Sequence, residues 1–296
     1  MDNDVNQSLE ASLRRRFAEF VGSRGVKIDA VLHTMQTMRT RGWTVFFFGG
    51  VPRGVFDDGK KYLPRDIDLV FDDEHYSFFE STFEQHIVKR NNYGGLKLEI
   101  NDFRIDAWPL SSTWAFRNGI LPDPSFEKLP ATTFLNIDAV IVEAVPPKFR
   151  KRRIFDAGFF SGWRDRTLDI NLRDNPYPAI CVARTLHLSK AFGFRLSYNL
   201  AKYIHEMLTK IPIMELLSAQ QSHYGKMEFD VARLFEIYQK LEKHLEGTIP
   251  QPIALFSLRP TQPNLEMRIN ETERYNSQMF RGDGELFEVM REVAVY

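Results

Sequence analysis

The residues Phe46-Phe47-Phe48-Gly49-Gly50-Val51-Pro52-Arg53, followed after a short interval by Arg65-Asp66-Ile67-Asp68-Leu69-Val70-Phe71, decide how the chain is read. The three phenylalanines form a short apolar run of the kind that makes a buried strand. Gly49 and Gly50 allow backbone conformations, and a closeness to a ligand, that a Cβ would forbid. A helix beginning near Pro52 aims unpaired amides at the same spot, an arrangement that suits a phosphate. In the second run side chains alternate faces, so Asp66 and Asp68 share one face and Ile67 and Leu69 the other. Two carboxylates about 7 Å apart along a strand repel one another unless a cation sits between them. A divalent metal is the usual answer, and aspartate is disfavoured inside a strand without such a reason.

A third acid follows at a place that fits. Residues 94–110 read as a β-hairpin, with Leu96, Leu98 and Ile100 alternating, Asn101-Asp102 turning, and Phe103, Ile105 and Ala107 alternating back. On the return strand Arg104, Asp106 and Trp108 share the other face. Asp106 joins Asp66 and Asp68 if the sheet sets the strands side by side; its alternative is an ion pair with Arg104 or Arg117.

The glycine turn and the Asp-x-Asp strand, in that order and spacing, resemble the nucleotidyltransferase fold of the DNA polymerase β superfamily. Within it, Gly-Gly-x-x-Arg ahead of Asp-Ile-Asp-Leu is similar to the head domain of class II poly(A) polymerases and CCA-adding tRNA nucleotidyltransferases, over about residues 43–194. The resemblance implies an α/β (α+β) fold, with a mixed, mostly antiparallel sheet and packed helices, followed by a helical neck and body. It implies that Asp66, Asp68 and Asp106 are catalytic and hold two magnesium ions, for which manganese would substitute. It implies nucleotide contacts from Gly49, Gly50, Arg53, Arg65 and Arg184, with ATP the first expectation among the nucleotides. Arg65 has a second reading, as the partner of Asp57 or Asp58. The implied reaction is template-independent transfer of an NMP to an acceptor hydroxyl, here an RNA or tRNA 3′ end.

The run Val182 to Phe194 resembles the family's neck helix, with Arg184 on one of its arginines; a surface ion pair is the plainer reading of that residue. His187 replaces another arginine, and Pro178, Ala179 and Cys181 stand where Asp-Pro-x-Arg normally opens the motif. Thr132-Thr133-Phe134 stands where class II enzymes carry Arg-Arg-Asp, which removes the basis for expecting CTP-then-ATP selection. Phe160-Ser161-Gly162-Trp163-Arg164-Asp165 is similar to the glycine turn between head and neck.

The 296 residues allow two compact units. The expected division is a head over 1–172, a helical neck and body over 173–247, and an extension over 248–296 with a helix at 285–293. Helices are also expected over 8–21, 27–41, 74–89, 198–209, 213–220 and 228–245. Asp57-Asp58-Gly59-Lys60-Lys61 reads as a turn, because Asp-Gly supplies the positive φ that a tight reversal needs. A single cysteine, Cys181, excludes an internal disulfide and fits a reducing, cytoplasmic setting. No apolar run approaches membrane-spanning length. Lys plus Arg equals Asp plus Glu at 39 each, so an RNA partner would be held by a local footprint. The densest basic stretch, Lys148-Phe149-Arg150-Lys151-Arg152-Arg153, reads either as a nucleic-acid or triphosphate contact or as a solvated hairpin edge. The seven histidines show no metal spacing and no His–Asp pair. Three further readings stay open: an oligonucleotide or second-messenger synthase of the defence type, a toxin–antitoxin transferase acting on tRNA or a partner protein, and a catalytically silent nucleotide-binding module.

Overall fold

A computed structural model describes residues 2–22, 34, 36–91, 94–100, 103–247 and 249–257. The helix expected at 285–293, and most of that expected over 27–41, lie outside the described residues. The described chain falls into two compact units, one within Met1–Arg164 plus Asn171–Asp174, the other within Asp165–Ile170 plus the chain from Asn175.

The first unit is built on a seven-stranded sheet of order β3-β4-β5-β2-β1-β6-β7. Its strands are β1 (Val45–Phe48), β2 (Asp66–Phe71), β3 (Ile87–Arg90), β4 (Leu96–Ile100), β5 (Phe103–Pro109), β6 (Val140–Glu143) and β7 (Ile154–Asp156). Every neighbouring pair is antiparallel except β2 and β5, which run parallel. The mixed, mostly antiparallel sheet is therefore as expected. One face packs against α1 (Asp2–Gly22), α2 (Gly50–Asp58) and α3 (Tyr76–Phe83), with Leu13, Phe17, Phe47, Val51, Ile67, Leu69, Phe79 and Ile105 in one buried cluster. Phe71 of β2 stacks on Phe79 of α3 at 4.3 Å between ring centroids. This face accounts for the alternation read in the sequence: Ile67, Leu69 and Phe71 of β2 and Phe103, Ile105 and Ala107 of β5 point into it.

Three expectations are corrected here. The helix read over 74–89 is α3 flanked by single 3₁₀ turns, and residues 87–90 form the edge strand β3 instead. Pairing of Ile87, Lys89 and Arg90 with β4 outweighs the local helical pattern, with a register shift at Val88. The positive φ expected of the Asp-Gly step is found at Gly59, φ +61°, but Asp57 and Asp58 end α2 ahead of it rather than belonging to the turn. Similarly, Gly162 lies inside the short helix Phe159–Asp165, and Gly158 at φ +92° makes the turn before it.

The second unit is helical. With the short Trp114–Arg117 and Phe159–Asp165 helices of the chain numbered α4 and α5, its helices are α6 (Pro178–Phe192), α7 (Tyr198–Lys210), α8 (Ile213–Tyr224) and α9 (Val231–Leu245). Local chemistry sets their ends. Pro178 opens α6, and Gly193 in the left-handed region closes it. Ser197 Oγ accepts from the Leu200 amide to cap α7, and Asp230 accepts from the Arg233 amide to cap α9. The strands β8 (Thr167–Leu168) and β9 (Arg195–Leu196) pair in parallel beside them. Between α8 and α9, the Gln220 amide both donates to the carbonyl and accepts from the amide of Phe229, at 2.9 and 2.8 Å. No helix among the described residues is long and apolar enough to cross a membrane.

The same inter-helix segment carries Glu228, which accepts from His187 Nδ1 at 2.7 Å and Lys190 Nζ at 2.9 Å, both on α6. The His187 ring stacks on Tyr224 at 4.2 Å. Burial pushes the Glu228 carboxyl up, but the hydrogen bonds and charges of His187 and Lys190 outweigh it and hold the group down at about 2. A folded value below the unfolded one means that the pair stabilises fully above pH about 4.5 and loses that contribution as pH falls through about 2. Urea melts of this unit, followed by circular dichroism between pH 5 and 2, are expected to show a falling midpoint that Glu228→Gln flattens. An unchanged slope in Glu228→Gln would assign the acid sensitivity to other carboxylates.

Candidate active site

Strand register places the three aspartates. Asp68 on β2 sits directly across from Asp106 on the parallel strand β5, and across from Phe48 on β1. Asp66 is two residues earlier on β2, across from Arg104. Residues in register on neighbouring strands point to the same side, so Asp66, Asp68 and Asp106 stand on one face of the sheet, opposite the face that carries the apolar cluster. Arg104 and Lys97, the latter across from Asp106 on β4, share that face. All three acids are half-buried, between buried Ile67, Leu69, Ile105 and Ala107. Further along, the same face is dry: Phe48 meets Trp108 edge-to-face at 5.8 Å, and Phe46 packs on Phe126 and Phe155. The polar end of the face is therefore the end at which β1 runs into Gly49.

Gly49 is required there twice over. Its φ of +65° is a conformation that side chains rarely adopt, and a Cβ at this position would meet Asp68 Oδ2 at 2.6 Å. The diglycine turn thus lets the backbone lie against one of the carboxylates. α2 starts immediately after it, and its cap, a glycine, offers no side-chain acceptor to the first amides. That helix end is anchored from two directions. The Tyr62 ring fills the space beside Gly54, where a Cβ would run into it, and its hydroxyl reaches the Gly50 carbonyl at 3.4 Å. Burial pushes the Tyr62 hydroxyl up to about 12, with Arg53 and Arg65 opposing and Asp66 and Asp68 adding to it. Arg53 Nη1 forms an ion pair with Asp138, and both side chains are largely buried, 14% and 7% exposed.

The residues singled out in the sequence are thus placed as follows. Gly49, Gly50, Asp66, Asp68 and Asp106 come together at one end of the sheet. Arg65 lies beside them, its Nε and Nη2 donating to Asp66 Oδ2 at 3.1 and 3.0 Å rather than to Asp57 or Asp58 in those contacts. Arg53 is turned to Asp138. Arg184 is on α6 of the second unit, half-buried. Sequence reasoning passed over Tyr62 and Asp138. Tyr62 carries no local signal. Asp138 does: it is an acid inside the apolar run Leu135 to Val142, where an unpaired carboxylate would be costly.

The donor chemistry fits a divalent cation such as magnesium, since three carboxylates on one face offer hard oxygen ligands. Among the described residues no three His, Cys, Asp or Glu side chains are drawn close enough to hold an ion. Asp66 is held on Arg65 instead, with its side chain 38% exposed. The strand register supplies the common face, and rotation of Asp66 away from Arg65 is what coordination would require.

No family model matches the chain, and no curated protein matches it. Solved structures do share its fold. A Thermotoga maritima CCA-adding enzyme complexed with tRNA is 15% identical, with a TM-score of 0.55 over 97% of this chain and 65% of that one. A tRNA nucleotidyltransferase complexed with a primer tRNA and an incoming ATP analogue is 15% identical, with a TM-score of 0.51 over 87% and 74%. A tRNA-processing enzyme in an apo form is 16% identical, with a TM-score of 0.51 over 71% and 58%. The chain therefore spans less than two thirds of the length of the first and third of these proteins, and the likeness establishes the fold.

Proposed function

We propose that the chain is a magnesium-dependent, template-independent nucleotidyltransferase that moves an NMP from an NTP to the 3′ hydroxyl of an RNA, with tRNA the leading acceptor. The observation that carries this reading is the shared face of Asp66, Asp68 and Asp106 with Gly49 packed against Asp68. Three carboxylates gathered on one face beside a glycine that lies against one of them offer hard oxygen ligands to a divalent cation. The resemblance in fold to proteins solved with tRNA, with an ATP analogue and with CTP supports the choice of substrates.

In the proposed reaction the acceptor oxygen attacks the α-phosphorus, its proton leaves to solvent, and the bond to pyrophosphate breaks on the opposite side. Asp66, Asp68 and Asp106 would hold magnesium, which supplies activation of the attacking hydroxyl and neutralisation of the triphosphate. Gly49 and Gly50 keep side chains away from the phosphates, and the amides opening α2 face them. Arg65, now on Asp66, would turn its guanidinium to a phosphate oxygen, leaving the Asp66 carboxylate available as a metal ligand. Arg53 adds positive potential at the start of α2 while its Nη1 stays on Asp138. Such transfer depends mostly on positioning and charge neutralisation.

The test is incubation with each labelled NTP and magnesium, with and without total RNA. Label is expected in RNA-sized product only when RNA is added, with ATP giving the strongest signal. Label in small oligonucleotides without RNA would move the reading to a nucleotide acceptor, label on a protein to a modifying transferase, and no label with any NTP would end the enzyme reading.

A further inference from the structure

The loop joining β6 to β7, residues 144–153, holds five cations and no acid. Its base is fixed by one buried carboxylate. Glu143, 2% exposed at the end of β6, accepts from Arg150 Nη2 at 2.5 Å, from Arg153 Nε and Nη2 at 3.1 and 2.9 Å, and from the Arg153 amide at 3.0 Å. Arg152 turns inward as well: it donates to the carbonyls of Glu143 and Ala144 and lies over the Phe17 ring, and burial lowers its guanidinium to about 10. Arg14 Nε ties the loop to α1 through the Arg152 carbonyl at 3.1 Å. The arginines at the base are thus structural, which settles half of the choice left open by the sequence.

The tip is different. Lys148, Phe149, Arg150 and Lys151 are all exposed, and Phe149 is fully exposed. Phe149 also has φ +67°, a backbone conformation in which a bulky residue is an outlier. A disfavoured backbone that holds an aromatic ring out in water, on a base pinned by ion pairs to one buried carboxylate, gains nothing for the fold. Register places this tip away from the aspartates. Glu143 pairs with Phe46, toward the start of β1, whereas Asp68 pairs with Phe48 at its end, next to Gly49. A partner of the tip is therefore not a mononucleotide seated among the acids. It must be extended and polyanionic, and it must offer a flat apolar surface to a single ring.

We propose that residues 148–151 form a binding point for a single-stranded polynucleotide, with Phe149 stacked on one base and Lys148 and Lys151 paired with flanking phosphates. Binding is measured without nucleotide or metal, so the outcome is independent of the transferase reading. Anisotropy titrations use a labelled single-stranded RNA of about 12 nucleotides, the matching DNA strand and a duplex of the same length, at several salt concentrations. Phe149→Ala is expected to weaken single-strand binding roughly 5- to 100-fold, and Phe149→Tyr to restore it. Joint replacement of Lys148 and Lys151 by alanine is expected to reduce the salt slope by about 1.4, and duplex binding is expected to ignore Phe149. Full exposure of Phe149 means that these variants keep the wild-type melting temperature. Absence of single-strand binding by the wild type, or Phe149→Ala binding within two-fold of it, overturns the proposal. So does binding to anionic phospholipid vesicles that depends on Phe149 while oligonucleotide binding does not.

Discussion

Asp68→Asn is expected to lower nucleotide incorporation by about a thousand-fold or more while leaving the fold at least as stable as before. The replacement amide keeps the size and shape that pack against Gly49, where Oδ2 already stands within 2.6 Å of the place a Cβ would take. What it removes is one negative charge from a face that also carries Asp66 and, directly across the strand pair, Asp106. Without metal that removal relieves repulsion, so the melting temperature should hold or rise. Under the proposed function it would take away a ligand whose charge offsets the cation and, through it, the triphosphate, and no neighbouring side chain restores a carboxylate at that position. Opposite movements of activity and stability are the signature of a group kept for chemistry rather than for folding. Activity within ten-fold of wild type, or an unfolded variant, would remove Asp68 from the centre of the reaction. Measurements at several magnesium concentrations sharpen the result, because a lost ligand raises the metal requirement whereas a disturbed fold does not.

What could be read in the sequence was whatever depends on neighbours in the chain. The strand, glycine turn, helix and second strand from Phe46 to Phe71 announce themselves through periodicity and two glycines, and the 94–110 hairpin through alternation around Asn101-Asp102. The face on which Asp106 stands followed from alternation alone. Its position opposite Asp68 required β5 to lie parallel to β2, a non-local pairing that only the resemblance supplied. The partners of the charged residues were not legible, for the same reason. Arg53 and Asp138 are 85 residues apart, and His187 and Glu228 are 41 apart. A basic run such as 148–153 looks uniform in sequence, whereas the fold divides it between arginines turned onto Glu143 and a tip left in water. Register, and with it the identity of an ion's partner, is a property of the assembled sheet.

The Arg53–Asp138 pair leads to the second large effect, this time on stability. Asp138→Ala is expected to destabilise the first unit by about 3–5 kcal/mol, because it leaves a guanidinium that is only 14% exposed without the carboxylate it faces. The location adds to the cost. Arg53 is in the first turn of α2, whose amide end already carries partial positive charge, and Asp138 is the acid paired with that guanidinium. Asp138→Asn keeps a hydrogen-bond acceptor and should cost less. The double change Arg53→Met with Asp138→Leu removes both charges at similar volume and should recover most of the loss, which a simple cavity would not allow. All four tryptophans, Trp43, Trp108, Trp114 and Trp163, lie in this unit, so their fluorescence during urea unfolding follows it without contribution from the helical one. A loss below about 1 kcal/mol would mean that the pair behaves as a solvated surface bridge. The double variant then separates two roles of the helix end: if it folds like wild type yet incorporates nucleotide poorly, the Arg53 charge acts on the triphosphate, and if it incorporates normally, Arg53 serves only to hold α2 in place.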